Sequence, residues 1–315
     1  MIGVLGIVIG SGMSFQSAVN SQLRNYVLSP YIASMLSFLV GTILLAIVVL
    51  SQGLPLFPSV DIITHNPWWI WLGGLCGVIA LTGNIIIFPK IGSIETAVMP
   101  IIGMIVTSML IDHFGWFHST TLPFGLNRFI GVILILLGVI FAVVLRDFLM
   151  HRKLKENVSD DINKYPCKYP WRAVGLLGGS MLAIQAAING QLGVAVNSPL
   201  TGAFLSFLIG TIILFLLAAF IDKNFKTVSQ PFKEKAPLWV WLGGAFGACY
   251  VSINILLVGI IGTGPTVVLV LFGQITGSIL VQQFGLFRSQ KSSTAPIQVL
   301  GLIIMLVGVI LINLF

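Results

Sequence analysis

The chain has 315 residues, of which 57% are hydrophobic and only 8% are charged, and its formal net charge is +7. A soluble domain carries roughly 25% charged residues, so the composition excludes an ordinary soluble fold and predicts an all-α integral membrane protein. The positive charge does not indicate nucleic-acid binding, because basic residues of membrane proteins collect in cytoplasmic loops.

Ten apolar runs follow one another along the chain, each close to the length of about 20 residues that a helix needs to cross a bilayer. They lie at 2–23, 31–51, 68–88, 94–113, 127–146, 172–192, 200–220, 238–258, 265–284 and 296–314. The most polar stretch separates the fifth run from the sixth. We therefore expect a first five-helix repeat over 1–147, a linker over 148–171 and a second five-helix repeat over 172–315.

The two halves of the sequence repeat each other. Gln16 and Asn20 of the first run recur 169 positions later as Gln185 and Asn189. Further matches are Gln22 with Gln191, Ser29-Pro30 with Ser198-Pro199, Ser37-Phe38 with Ser206-Phe207, and 69–74 with 239–244. A repeat of five spans enters the membrane on one side and leaves on the other. The second copy is therefore predicted to be inverted relative to the first, a design that transporters use.

The distribution of basic residues predicts an orientation. Of the 16 Lys and Arg residues, all except Arg128 lie in or beside the loops that follow the first, third, fifth, seventh and ninth runs, which we call the odd-numbered loops. By the positive-inside rule these loops are cytoplasmic and both termini lie outside. Cys167, in the linker, is then cytoplasmic. The other two cysteines, Cys76 and Cys249, form no CxxC motif with it or with each other, so neither a disulfide framework nor a metal site is predicted.

Four amide side chains are the first candidates for a binding site. Gln16 and Asn20 are four residues apart, as are Gln185 and Asn189, so each pair lies on one face of its helix. Polar groups in a bilayer need a partner from another helix or from water. We expect the two pairs to face each other near the midplane and to line a substrate cavity; hydrogen bonding between helices is the alternative interpretation.

Three further amides extend this predicted cavity. Asn84 and Asn254 occupy equivalent positions in the third helix of each repeat and either cap that helix or line the cavity. Gln274 has Met104 as its counterpart, so the cavity need not be symmetric.

Two acids lie at the ends of the predicted fourth helix. Glu95 is in its first turn, where an acid is stabilised by the helix dipole; the alternative is a carboxylate that binds a proton or another coupling ion. Asp112, opposite Gln282 of the second half, is expected to be a solvated interfacial acid at the outer end, with a coupling site as the alternative. Aromatic residues expected to anchor the chain at the membrane surface are Trp68, Trp69, Trp71, Trp239 and Trp241.

The sequence contains no HExxH, GxSxG or Walker motif and no run of acids that would bind a metal. We therefore expect neither an enzyme nor a cofactor.

The repeated pattern resembles a known family. The first half of the chain contains, in this order, Gln16, Asn20, Gln22-Leu23, Pro30, Ser37-Phe38 and the segment 71–74. This pattern is similar to that of the drug/metabolite transporter superfamily, in its bacterial YdcZ-type branch of inner-membrane exporters. The chain resembles the fused ten-helix form. The resemblance implies a secondary transporter of a small metabolite or drug-like molecule in the bacterial inner membrane. The implied partners are the small-molecule substrate and the lipid bilayer. The protein itself is expected to be a monomer or a homodimer.

The resemblance has one departure that bears on mechanism. Small multidrug members of the superfamily carry a membrane-embedded glutamate in their first helix, whereas this chain has Gln16 and Gln185 in the comparable region. An amide cannot exchange a proton, which leaves uniport, exchange, or coupling to a proton or other ion through Glu95. The alternative function is a non-transporting or channel-like membrane protein that acts as an assembly or regulatory partner.

Overall fold

The structure, a computed structural model, describes residues 2–123, 125–145, 169–222, 225–289, 291 and 295–314. Within these ranges every regular element is a helix. The α-helices are α1 (Ile2–Val27), α2 (Pro30–Ser51), α3 (Val60–His65), α4 (Gly73–Phe114), α5 (Leu126–Val139), α6 (Tyr169–Ala195), α7 (Pro199–Leu217), α8 (Gln230–Lys233), α9 (Leu242–Ile261), α10 (Thr263–Phe284) and α11 (Pro296–Leu314).

Six helical segments in the described part of the chain are long and apolar enough to cross a membrane. They are Ile2–Val27, Pro30–Ser51, Tyr169–Ala195, Pro199–Asp222, Leu238–Ile261 and Thr263–Val281. Four further apolar helical segments have 10–17 residues: Trp68–Ala80, Met99–Phe114, Leu126–Val139 and Pro296–Ile312. Six of the ten predicted spans therefore meet this criterion of length and composition, and each of the other four corresponds to a shorter apolar helix.

The helix α4 consists of two arms that run in opposite directions. It is helical over 42 residues, which would make a straight helix about 63 Å long. Nevertheless Ile87 and Met99 both lie against Gly175 of α6, within 3.1 Å and 2.8 Å of the Cβ position there. The chain therefore reverses between residues 87 and 99, and we call 73–87 the first arm and 99–114 the second arm.

In the second half, the equivalent of the two arms is a pair of separate helices, α9 and α10. They meet at Gly262, whose φ of +88° lies in the left-handed region. A residue with a side chain is strained in that region, so glycine allows the sharp break between the two helices.

The first helix of each half packs in the other half. From the first half, α1 lies against α9 and α10, with Gly6 in contact with Leu257 and Leu269. From the second half, α6 lies against both arms of α4. Neither half thus has a complete core of its own.

Equivalent residues of the two halves also meet directly. Phe38 of α2 stacks on Phe207 of α7 with ring centroids 4.8 Å apart. One turn further along, the hydroxyl oxygens of Thr42 and Thr211 are 2.9 Å apart. Such pairing of a residue with its own equivalent is typical of a two-fold relation.

The helices α5 and α11 form a second contact of this kind. Gly131 lies against Gly308, and Gly138 lies against Gly301. As the residue number rises along α5 it falls along α11, so the two helices are antiparallel.

Candidate functional site

The amide pair of α1 lies against two glycines of α9. The Oδ1 of Asn20 occupies the space where a side chain on Gly243 would begin, and Nε2 of Gln16 is 2.6 Å from the Cβ position at Gly247. The hydroxyl oxygen of Ser37, from α2, is 3.4 Å from the Cβ position at Gly243. The spacing of four residues on both helices brings the four groups into register. We call these five residues the first amide cluster.

The same arrangement occurs around α6. The Oδ1 of Asn189 occupies the Cβ space of Gly73, and Nε2 of Gln185 is 2.6 Å from the Cβ position at Gly77. We call these four residues the second amide cluster. Each cluster joins the two halves, because its amides come from one half and its glycines from the other.

Several polar atoms in and near the clusters are buried without a hydrogen-bond partner among the described residues. They are Oδ1 of Asn20, Oδ1 of Asn189, the hydroxyl oxygen of Ser37 and Nδ2 of Asn254. Asn189 is only 2% exposed. Each of the two amide oxygens lies in the Cβ space of a glycine of the other half, Gly243 for Asn20 and Gly73 for Asn189. Buried polar atoms are normally satisfied, so these atoms are suited to bind water or a ligand.

The two clusters are separate sites in this structure. Within the described part of the chain, no hydrogen bond joins Gln16 or Asn20 to Gln185 or Asn189. The ring of Phe207 lies 3.1 Å from the Cβ position at Gly247, beside the first cluster, and stacks on Phe38. The first cluster therefore flanks the crossing of α2 and α7. Beside the second cluster, Gly74 packs against the backbone of α7, with the carbonyl oxygen of Ser206 2.5 Å from its Cβ position.

The other predicted cavity residues are distributed along the same helices. Asn254 is buried on α9, seven residues after Gly247 and so on the same face of that helix. Gln274 lies on α10, and its backbone carbonyl accepts a hydrogen bond from Ser14 of α1 at 2.5 Å. The side chains of Asn84 and Glu95 lie outside the described residues.

Two surface grooves are lined almost entirely by apolar atoms. One, of about 450 Å³, lies between the first arm of α4, α6 and α7 and includes Gly83 and Gly178. The other, of about 410 Å³, lies between α2, α7 and residues 225–228. At the positions equivalent to Gly83 and Gly178 the chain has Ile253 and Ile9, and Ile9 is buried. Larger side chains thus occupy the corresponding place on the other side of the molecule.

The expectation for Asp112 is wrong. Its side chain is fully buried, and its carboxylate accepts hydrogen bonds from the backbone N–H groups of Thr263 at 3.1 Å and Gly264 at 2.7 Å. Asp112 lies in the last turn of the second arm of α4, and the two donors begin α10 of the other half. The carboxylate caps a helix far away in sequence, which is why hydropathy alone assigned it to solvent.

Two aromatic turns were not predicted from the sequence. Trp69 packs on Phe117 at 5.4 Å, and the equivalent Trp239 packs on Phe287 at 5.7 Å. Phe117 and Phe287 have left-handed backbones with φ of +55° and +53°. The guanidinium of Arg288 lies 6.0 Å from the ring of Trp239. The same spacing between tryptophan and phenylalanine in both halves of the sequence could have indicated these two turns.

Comparisons with known proteins bear on this arrangement. A family model described as "Putative inner membrane exporter, YdcZ" matches the chain twice, over residues 1–141 and 170–311. A protein known from a crystal structure has a similar fold, with a TM-score of 0.65, 13% sequence identity, and coverage of 99% of this chain and 95% of that chain. No curated protein matches the chain.

Proposed function

Because the chain belongs to the YdcZ family of inner-membrane exporters within the drug/metabolite transporters, we propose that it is a secondary transporter that exports a small metabolite or drug-like molecule by alternating access. The observation that carries the mechanism is the exchange of first helices: α1 packs in the second half and α6 packs in the first. Rocking one half against the other would move both amide clusters at once.

The proposed architecture is ten membrane spans in two inverted five-helix repeats. The antiparallel contact of α5 with α11 supports it, because a two-fold axis relating antiparallel spans lies in the membrane plane. The hydrogen bonds of Asp112 support it as well, since they join the end of the second arm of α4 to the beginning of α10, the equivalent of that arm in the other half.

The proposed substrate contacts are the amides Gln16, Asn20, Gln185 and Asn189, with Asn84, Asn254 and Gln274 as further lining residues. The unpartnered oxygens of Asn20 and Asn189 support this role. A substrate with hydrogen-bond donors would satisfy them when the α2–α7 crossing opens. The apolar groove between α4, α6 and α7 lies between elements of different halves and supports a path for an apolar molecule.

Coupling to a proton or another ion is proposed to involve Glu95, at the junction between the two arms of α4. If Glu95 carries a coupled proton, Glu95→Gln abolishes the pH dependence of transport. Unchanged transport and unchanged pH dependence in that variant would exclude the role.

The experiment begins with a ligand screen by thermal stabilisation of the purified protein, since a ligand stabilises the fold that it binds. The hit is then tested in proteoliposomes for saturable uptake and counterflow. We expect both, and we expect Asn20→Ala with Asn189→Ala to reduce uptake about tenfold or more by removing a hydrogen bond at each cluster. Gly259→Ala is the matched control, because its added methyl group would contact nothing within 4 Å.

Two outcomes would contradict the proposal. Unsaturable flux without counterflow would indicate a channel. Full uptake in the double asparagine variant would remove the amides from the substrate path.

A further inference from the structure

The apolar groove of about 410 Å³ between α2, α7 and residues 225–228 has no part in the transport mechanism proposed above. Phe225, one of its lining residues, packs on Phe215 of α7 with ring centroids 5.5 Å apart. Thr211 contributes a hydroxyl to the lining, but that hydroxyl is already hydrogen-bonded to α2 and to its own helix. The groove therefore offers an occupant apolar contacts. Further lining residues include Leu39, Ile212 and Val228.

The loop that borders this groove lies at the surface of the membrane. It joins Pro199–Asp222 to Leu238–Ile261, two helical segments that are each long and apolar enough to cross a membrane. Its apolar side chains Phe225 and Val228 pack against a core cluster that contains the end of α1 and the start of α2. The loop is therefore held against the helices, and its charged side chains are left to face the lipid headgroups.

Basic residues concentrate beside the groove. Lys226 lies within the segment 225–228 and is exposed, as is Lys233. The same loop contacts α1, whose last turn carries the exposed Arg24. Between residues 223 and 237 the sequence has four lysines and one glutamate. Clusters of Lys and Arg next to membrane-spanning helices attract anionic lipids, and the long lysine stem can cover apolar surface while its charge reaches a headgroup.

The corresponding loop of the first half differs in both respects. Over residues 52–67 it contains neither Lys nor Arg. Its Phe57 packs on Phe204, the equivalent of the groove residue Met35, with ring centroids 6.1 Å apart. A side chain of the protein itself thus covers a residue that corresponds to one lining the groove. Positive charge beside an apolar groove is therefore a feature of the loop in the second half.

We propose that the groove binds one anionic glycerophospholipid, with an acyl chain between α2 and α7 and the phosphate at Lys226, Lys233 and Arg24. The acyl chain fills apolar space that water does not occupy. The phosphate supplies the negative charge that the lysines attract, whereas a zwitterionic lipid also brings a positive group to them. The site is a property of the protein in its membrane and does not depend on the proposed transport function.

The experiment measures lipid binding to the purified full chain by native mass spectrometry. The protein in a neutral detergent is titrated with palmitoyl-oleoyl phosphatidylglycerol (POPG) or with the phosphatidylcholine that has the same chains (POPC). We expect the first POPG to bind about tenfold or more tightly than the first POPC, since each Lys or Arg near an anionic lipid contributes about fivefold in affinity. Equal affinities for the two lipids would overturn the site.

The headgroup contacts are tested by removing charge. Lys226→Gln with Lys233→Gln should remove most of the preference for POPG. Lys291→Gln, which removes an exposed lysine from the loop between α10 and α11, should keep it. An unchanged preference in the double lysine variant would contradict the proposal.

The groove is tested by filling it. Ile212→Trp places a large ring in the groove, and Ile43→Trp is the matched control, because Ile43 is the equivalent residue of the first half and is 51% exposed against 52% for Ile212. We expect the affinity for POPG to fall about tenfold in Ile212→Trp and to stay unchanged in Ile43→Trp. Full POPG binding in Ile212→Trp would mean that surface charge alone attracts the lipid, which would overturn the site.

A measurement on the wild-type chain guards against variants that fail to fold. Hydrogen–deuterium exchange of the peptide covering 225–233 should be slower in nanodiscs of POPC with one-quarter POPG than in nanodiscs of POPC alone. The peptide covering 52–67 should exchange at the same rate in both. Equal rates for the 225–233 peptide in the two lipid mixtures would also overturn the site.

Discussion

At Gly73 and Gly243 the absence of a side chain is what lets two halves of the molecule meet. An asparagine amide oxygen from the other half occupies the space of the missing Cβ in each case. Small residues allow helices in membranes to approach closely. Here the space they leave also admits a polar group, so each glycine and its asparagine function as a pair.

This pairing predicts the behaviour of an alanine at Gly243. Gly243→Ala forces Asn20 to rotate away, and overpacking of this kind costs about 1–3 kcal/mol of stability. Asn20→Ala should relieve the overlap, so the double variant should be more stable than the sum of the two single effects implies. Thermal unfolding of the purified variants measures all three, with Gly259→Ala on the same helix as the control.

The repeat identified Gln16, Asn20, Gln185 and Asn189 from the sequence, and the structure gives each pair the same surroundings. The sequence did not reveal that each pair faces glycines of the other half instead of the other pair. Asp112 could not be interpreted from its neighbours either, because its partners Thr263 and Gly264 are far along the chain. Contacts between residues so distant in sequence have no local signature.

Among the helices, the contact of α1 with α10 brings two backbones together. A Cβ at Gly10 would overlap the carbonyl of Val270, and one at Gly273 would overlap the carbonyl of Ile7. Since backbone atoms cannot rotate out of the way, these helices would have to separate.

Because of this contact, we expect Gly10→Ala to lower the stability of the protein more than an alanine at a glycine that faces only side chains. We expect a loss of about 3 kcal/mol or more, at the upper end of overpacking effects, or failure to accumulate in the membrane. Gly3→Ala on the same helix should be nearly neutral, because the nearest atom is 3.8 Å from its Cβ position. Unfolding in detergent and membrane yield measure the difference, and equal behaviour of the two variants would contradict the close backbone contact.

Hydropathy located the apolar helices well, because burial in lipid is a local property of about 20 residues. It could not predict which helices pack together, since every span is similarly apolar. The reversal within α4 and the break at Gly262 occupy equivalent places in the two halves. Of these two places, the described residues include a glycine with a left-handed backbone only at the second.

For the whole molecule, the orientation in the membrane stays a prediction from charge. If the odd-numbered loops are cytoplasmic, Cys167 reacts with a membrane-impermeant thiol reagent in inverted vesicles and not in intact cells. Cys76 is buried, and Cys167→Ser controls for labelling of Cys249. Labelling of Cys167 in intact cells would reverse the orientation.

The exchange of first helices also has a consequence in time. The helix α1 ends at Val27, and its partner α9 begins at Leu242, which is 242 − 27 = 215 residues later. At a synthesis rate of about 5–20 residues per second, α1 waits on the order of 10 to 40 s for that partner. During that interval Gln16 and Asn20 cannot make their contacts with Gly247 and Gly243, because those glycines have not yet been synthesised.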